Sequence, residues 1–100
     1  MEKIIFKKEG KSKEELIKCL EQLEAKHAKE ISEYNISVKR DNDKIYVSGS
    51  RNILFFNFWV NAVLTAEDNM IILEFETNAP KKYFGEAENL FRKLIDDTCL

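Results

Sequence analysis

Between Lys44 and Thr77 the chain reads KIYVSGSRNILFFNFWVNAVLTAEDNMIILEFET, a stretch that holds most of its β-branched and aromatic residues. A strand with one buried face alternates apolar and polar side chains, because successive residues point to opposite faces. Ile71, Leu73 and Phe75 form one inward row, while Glu74 and Glu76 share the other face with Ile72. Phe58, Val60, Ala62, Leu64 and Ala66 form a second, backed by Trp59, Asn61, Val63 and Thr65. Glu67-Asp68-Asn69 lies between them, and Asp and Asn tolerate the backbone of a tight turn. The two rows therefore predict a β-hairpin. Upstream, Ile45 and Val47 alternate with Tyr46 and Ser48 until Gly49, which predicts a bulge or a strand end.

The flanks supply cover for this sheet. Lys3 to Lys8 reads as a short strand with Ile4 and Phe6 on one face. Ser12-Lys13-Glu14-Glu15 is a capping box, in which hydroxyl and carboxylate each satisfy an otherwise orphaned backbone N–H. A helix is predicted from there to about Ile31, with Leu16, Leu20, Leu23, His27 and Ile31 as its apolar stripe, flanked by Ile17 and Ala28. Tyr34, Ile36 and Val38 alternate within a strand predicted from Glu33 to Arg40, and Asp41-Asn42-Asp43 turns into the next. Asn78 is placed to cap a last helix, with Pro80 in its first turn. That helix carries Phe84, Ala87, Phe91, Leu94 and Ile95 on one face, with Tyr83 and Leu90 beside them. The order β-α-β-β-β-β-α predicts one α+β domain over residues 1–100. Its single antiparallel sheet has about five strands, the first joining a four-strand meander at an edge, and both helices lie on one face.

Chemistry is harder to find. His27 is the only histidine, which excludes a multi-histidine metal site; its place on the helix stripe predicts a packing role. Asp41 and Asp43 read as a solvated turn, and Glu74 with Glu76 as a solvent face. No enzyme and no cofactor are expected. The net charge is −2, with acids and bases interleaved, so no basic stripe points to nucleic acid. The opening MEKIIFKKEG is no secretory signal and no span is long enough to cross a membrane. The expected location is cytoplasmic, with Cys19 and Cys99 as free thiols.

The tract from Ile53 to Trp59 leaves two readings open: a buried strand, or an exposed apolar patch. Phe55 and Phe56 point to opposite faces in a strand, and so do Phe58 and Trp59. Two helices cover one face, so Phe55 or Phe56, and Trp59 with Val63, are expected on the other, extended by Tyr46 and Ile72. Contiguous apolar patches of that size mark interaction sites. The expected partner is a second copy in a homodimer, or a hydrophobic surface. The alternative is a small lipid-like molecule carried between helices and sheet.

The succession KIIFKKEGKSKEELIKCLEQLEAKH, then YNISVKR, KIYVSGS and MIILEFE, then KKYFGEAENLFRKLID, resembles the small polyhydroxyalkanoic acid system proteins found in bacteria near storage-polymer genes. The resemblance implies a noncatalytic role at polymer granules and kinship with helix-grip lipid-binding domains. It carries no defined functional residues onto this chain.

Overall fold

The computed structural model describes residues 2–33, 35–41, 43–53 and 55–99, with all their side chains except those of Glu24, Glu30, Glu33, Arg51, Ile53 and Ala87. The readings of Tyr34 as a strand residue, of Asn42 as a turn residue and of Leu54 as part of the apolar tract fall outside the described residues. The elements are β1 (Glu2–Lys7), α1 (Lys13–Glu21), α2 (Leu23–Lys26), α3 (Ala28–Glu33), β2 (Ile36–Asp41), β3 (Lys44–Ile53), β4 (Phe56–Glu67), β5 (Met70–Thr77), a 3-10 turn at Lys81–Tyr83, and α4 (Phe84–Thr98). The fold is α+β, with one antiparallel five-stranded sheet in the order β1-β5-β4-β3-β2. The meander and the edge position of the first strand follow the alternation read above.

The inward rows are where the pattern put them. Ala62, Leu64 and Ala66 on β4 and Ile71, Leu73 and Phe75 on β5 are buried against Leu16 and Leu20 of α1 and Phe91 and Ile95 of α4. Half of the capping box forms: the Ser12 hydroxyl accepts from the Glu15 backbone N–H at 3.2 Å, but the Glu15 carboxylate meets that same hydroxyl at 3.4 Å instead of the Ser12 N–H. The β4–β5 turn then locks this helix start. The Asp68 carboxylate accepts from the Lys13 backbone N–H at 2.8 Å, and the Asn69 side chain from Gly10 at 3.0 Å. Asn69 sits at φ 63°, a left-handed conformation that asparagine tolerates better than most residues.

Four expectations need correction. The first helix is three short helices with breaks at Gln22 and His27, although its stripe still faces the sheet. The second strand starts at Ile36, and Glu33 ends α3. Gly49 neither bulges nor ends its strand. It continues β3 and pairs with Ile36 and Val60, and a Cβ there would meet Ile36 Cγ1 at 3.3 Å, so close strand approach explains the glycine. Asn78 does not cap α4. Its Oδ1 accepts from the Trp59 N–H at 2.8 Å and its Nδ2 donates to the Asn57 carbonyl at 2.7 Å, extending the β4–β5 ladder by one side-chain rung.

The cysteines are also corrected. Cys19 and Cys99 form a disulfide, with Cα atoms 5.3 Å apart across a sequence separation of 80. It ties α1 to the end of α4. Protein disulfides persist in oxidising compartments, so the thiol argument for a cytoplasmic location falls. Among the described residues, no helix is long and apolar enough to cross a membrane.

Candidate functional site

The β3–β4 hairpin outruns its neighbours. β2 accompanies it only to Gly49, and β5 only to Val60. Four further pairs, from Ser50 with Trp59 to Ile53 with Phe56, have no flanking strand among the described residues. At roughly 3.3 Å per residue, this ribbon projects about 13 Å beyond the sheet. Phe55 at its turn is 100% exposed and Phe56 66%. The Phe56 ring packs only loosely on Phe58, with centroids 6.2 Å apart.

The six residues expected to form one patch therefore occupy three places. Tyr46 and Val63 are direct cross-strand partners, with Ile72 one rung away on the same face. Charged residues edge this group: Glu74 and then Lys3 beyond Val63, and Lys39 beside Tyr46. Trp59 lies past a polar rung made by Ser37, Ser48, Asn61 and Glu76. Phe55 and Phe56 are out on the ribbon. The structure joins Tyr46, Val63 and Ile72 but separates them from the other three.

A larger feature lies on the opposite face, between helices and sheet. Three inward rows lose burial toward the same end. On β4, Leu64 is 1% exposed and Ala62 3%, but Val60 and Phe58 are only half-buried. Along the helical stripe, Leu16, Leu20 and Leu23 are buried, and His27 and Ile31 half-buried. On α4, Ile95 is buried, Phe91 slightly open and Phe84 half-buried. Between the rows opens an apolar groove of about 560 Å³. Ile36, Val38, Val47, Val60 and the bare backbone of Gly49 form its floor; Leu23, His27, Ile31, Phe84, Phe91 and Leu94 form its walls. Tyr83 and Leu90, both more than a third exposed, stand at its rim. Ligand sites are typically concave, mostly apolar hollows of about 300–1,000 Å³ with few polar groups.

Few polar groups line the groove. The Thr77 hydroxyl donates to the Trp59 carbonyl at 2.5 Å and accepts from Ala79 N–H at 3.2 Å, so it is already satisfied. His27 Nε2 is 3.2 Å from the Thr98 hydroxyl, which itself donates to the Leu94 carbonyl at 2.8 Å. The packing role predicted for His27 thus includes a hydrogen bond to Thr98 on the groove wall. A smaller hollow of about 310 Å³ lies beside Leu20, Ala28 and Ile45, spanned by an Arg40–Glu21 ion pair at 3.0 Å.

The remaining candidates behave as structure. Asp43 pairs with Lys13 at 3.0 Å, across the β2–β3 turn from the helix start. That hydrogen bond lowers the Asp43 carboxyl below its ordinary 3.8 and raises the Lys13 ammonium above 10.5. Glu74 and Glu76 lie on the face away from the helices. Among the described residues, no three His, Cys, Asp or Glu side chains converge as a metal-ligand set.

Sequence reasoning read Leu23, His27, Ile31, Phe84 and Leu94 as core. Their spacing marks the face that turns inward, but not whether opposing faces meet. The one available hint was the excess of large apolar residues, Tyr83 and Leu90, alongside the α4 stripe.

No family model matches the chain, and no curated protein matches it. Among solved structures it is similar to a protein described as a TBP-like protein from Parabacteroides distasonis ATCC 8503. The TM-score is 0.65 at 16% identity, over 95% of this chain and 89% of that one. At that identity the likeness supports the fold alone.

Proposed function

We propose that this protein is a noncatalytic carrier that holds a small apolar molecule between its helices and the inner face of its sheet. The observation that carries this reading is the groove of about 560 Å³ lined mainly by aliphatic and aromatic side chains. An unfilled apolar groove forfeits dispersion contacts along its walls, and an apolar occupant restores them. The kinship with helix-grip lipid-binding domains implied by the resemblance agrees with it. The test is native mass spectrometry of the purified protein, followed by titration of stripped protein with a fluorescent apolar probe. Binding by the wild type and its loss in Val60→Trp, which fills the floor, support the reading. No co-purified molecule and no probe binding refute it.

A second reading rests on a separate observation, the exposed Phe55 and Phe56 at the end of the ribbon. Two phenylalanines held out from the body suit contact with a hydrophobic surface; under the family resemblance that surface is a polyhydroxyalkanoate granule. Partition of the wild type, but not of Phe55→Asp, onto polymer particles supports it. Equal partition of the two defeats it. A wild-type dimer in sedimentation that Phe55→Asp converts to monomer assigns the ribbon to self-association instead.

A further inference from the structure

We infer that the occupant of the groove is an amphiphile with a single anionic head, and that Lys93 is the counter-ion for that head. The inference rests on the carrier reading above and adds the chemical class. Among the described side chains that line the groove, Lys93 is the only lysine, arginine, aspartate or glutamate. It is exposed yet lines the cavity, so it belongs to the rim, three residues after Leu90 and one before Leu94 on α4. Most of its neighbours are committed: Lys8 to Asp96 at 2.6 Å, Lys26 to the Asp97 carbonyl at 2.7 Å, Arg92 to Glu88 at 3.0 Å. Lys93 forms no ion pair among the described residues. One helical turn before it stands the uncharged Asn89, and one turn after it Asp97, which does not pair with it.

A pocket fixes its ligand's orientation through a small number of polar groups in an apolar lining. Here the polar choices are limited. The Thr77 hydroxyl and His27 Nε2 are engaged within the protein, and the Ser50 and Tyr83 hydroxyls that also line the groove carry no charge. A rim ammonium above an apolar hollow therefore selects a molecule whose tail fills the groove and whose head stays at the water's edge. A long lysine stem can lie along apolar surface while its ammonium stays in water, the usual geometry for such a residue.

The experiment compares dodecanoate with dodecanol as competitors of a fluorescent apolar probe, in wild type, Lys93→Gln and Lys93→Arg. The two competitors differ in hydrophobicity, so the quantity read is the ratio of their affinities and how it changes between proteins. The inference expects Lys93→Gln to shift the ratio against dodecanoate by about three- to tenfold, between the effect of an exposed ion pair and that of a charge-assisted hydrogen bond. Lys93→Arg should keep the wild-type ratio, and dodecanol affinity should hardly change in any variant. Binding of both competitors with an unchanged ratio in Lys93→Gln overturns the role of Lys93 and leaves the carrier reading standing. Failure of both to displace the probe from the wild type overturns the two together.

Discussion

Reduction of the Cys19–Cys99 bridge should weaken this domain more than the loss of almost any single side chain. The bridge joins residues 80 apart in sequence. Cross-linking a chain removes loop-closure entropy from its unfolded state, and for a loop of that length the entropic relation gives about 4.5 kcal/mol at 25 °C. Domains of this size are stable by only about 5–15 kcal/mol, so the bridge accounts for a third or more of the total. Reduction is a cleaner perturbation than mutation, because both sulfurs stay where they pack and Cys99 is buried. In urea, a loss of about 4.5 kcal/mol lowers the unfolding midpoint by at least about 1.5 M, even at a steep slope of about 3 kcal/mol/M. The assay is a pair of urea melts followed by far-ultraviolet circular dichroism, with and without reductant, alongside a thiol count on the unfolded, unreduced protein. Coincident melts, or two titratable thiols in the unreduced protein, would refute the reasoning.

Ser12→Ala should cost about 0.5–2 kcal/mol through the lost cap on Glu15 N–H, seen as a lower midpoint with unchanged slope. Leu73→Ala, at a fully buried site, should cost about 2–5 kcal/mol, whereas Phe55→Ala, at a fully exposed one, should leave the midpoint where it is. The Lys13–Asp43 pair makes stability depend weakly on pH at both extremes. Asp43 is held below 3.8, so its contribution is complete above that value and lost as pH falls through its folded pKa; Lys13 is held above 10.5, so its share is complete below that value and lost as pH rises through its folded pKa. Asp43→Asn should flatten both limbs in melts taken across pH, and unchanged limbs would contradict the pairing.

The fold was legible because most of its rules are local. The alternation of Ile71, Leu73 and Phe75, the N-cap at Ser12 and the Asp68-Asn69 turn each act over a few residues, and each reappears in the structure. What was not legible depends on distance in space. Nothing near Cys19 in sequence announces Cys99, and only the packing of α1 beside α4 brings them together. Asn78 looks like a cap by composition, but Trp59 and Asn57 offer its amide better partners. The tract from Ile53 to Trp59 posed the question of core or surface. The answer is set by the lengths of β2 and β5, which stop short of it, and strand ends are weakly encoded in composition. The groove is the extreme case, since each of its walls reads as ordinary core until the walls fail to meet.

That failure has a thermodynamic consequence. Leu64, Leu16 and Ile95 form a closed core at one end of the helix–sheet interface, and the same three rows open at Phe58, Ile31 and Phe84. The buried end supplies the stability, while the open end contributes apolar area still facing water. A molecule in the groove buries that remaining area and contacts the folded chain only, because unfolding separates its walls. Binding must then raise stability by mass action, by about 2.7 kcal/mol at a ligand concentration one hundred times its dissociation constant. The gain should fall on His27, α3 and the first turn of α4, where the inward residues are the half-buried ones, and hardly touch the β1–β5 edge. Hydrogen exchange on protein with and without dodecanoate resolves these regions. Protection confined to the groove walls agrees with a wedge filled at its open end; uniform protection would mean that the walls and the closed core open together as one unit.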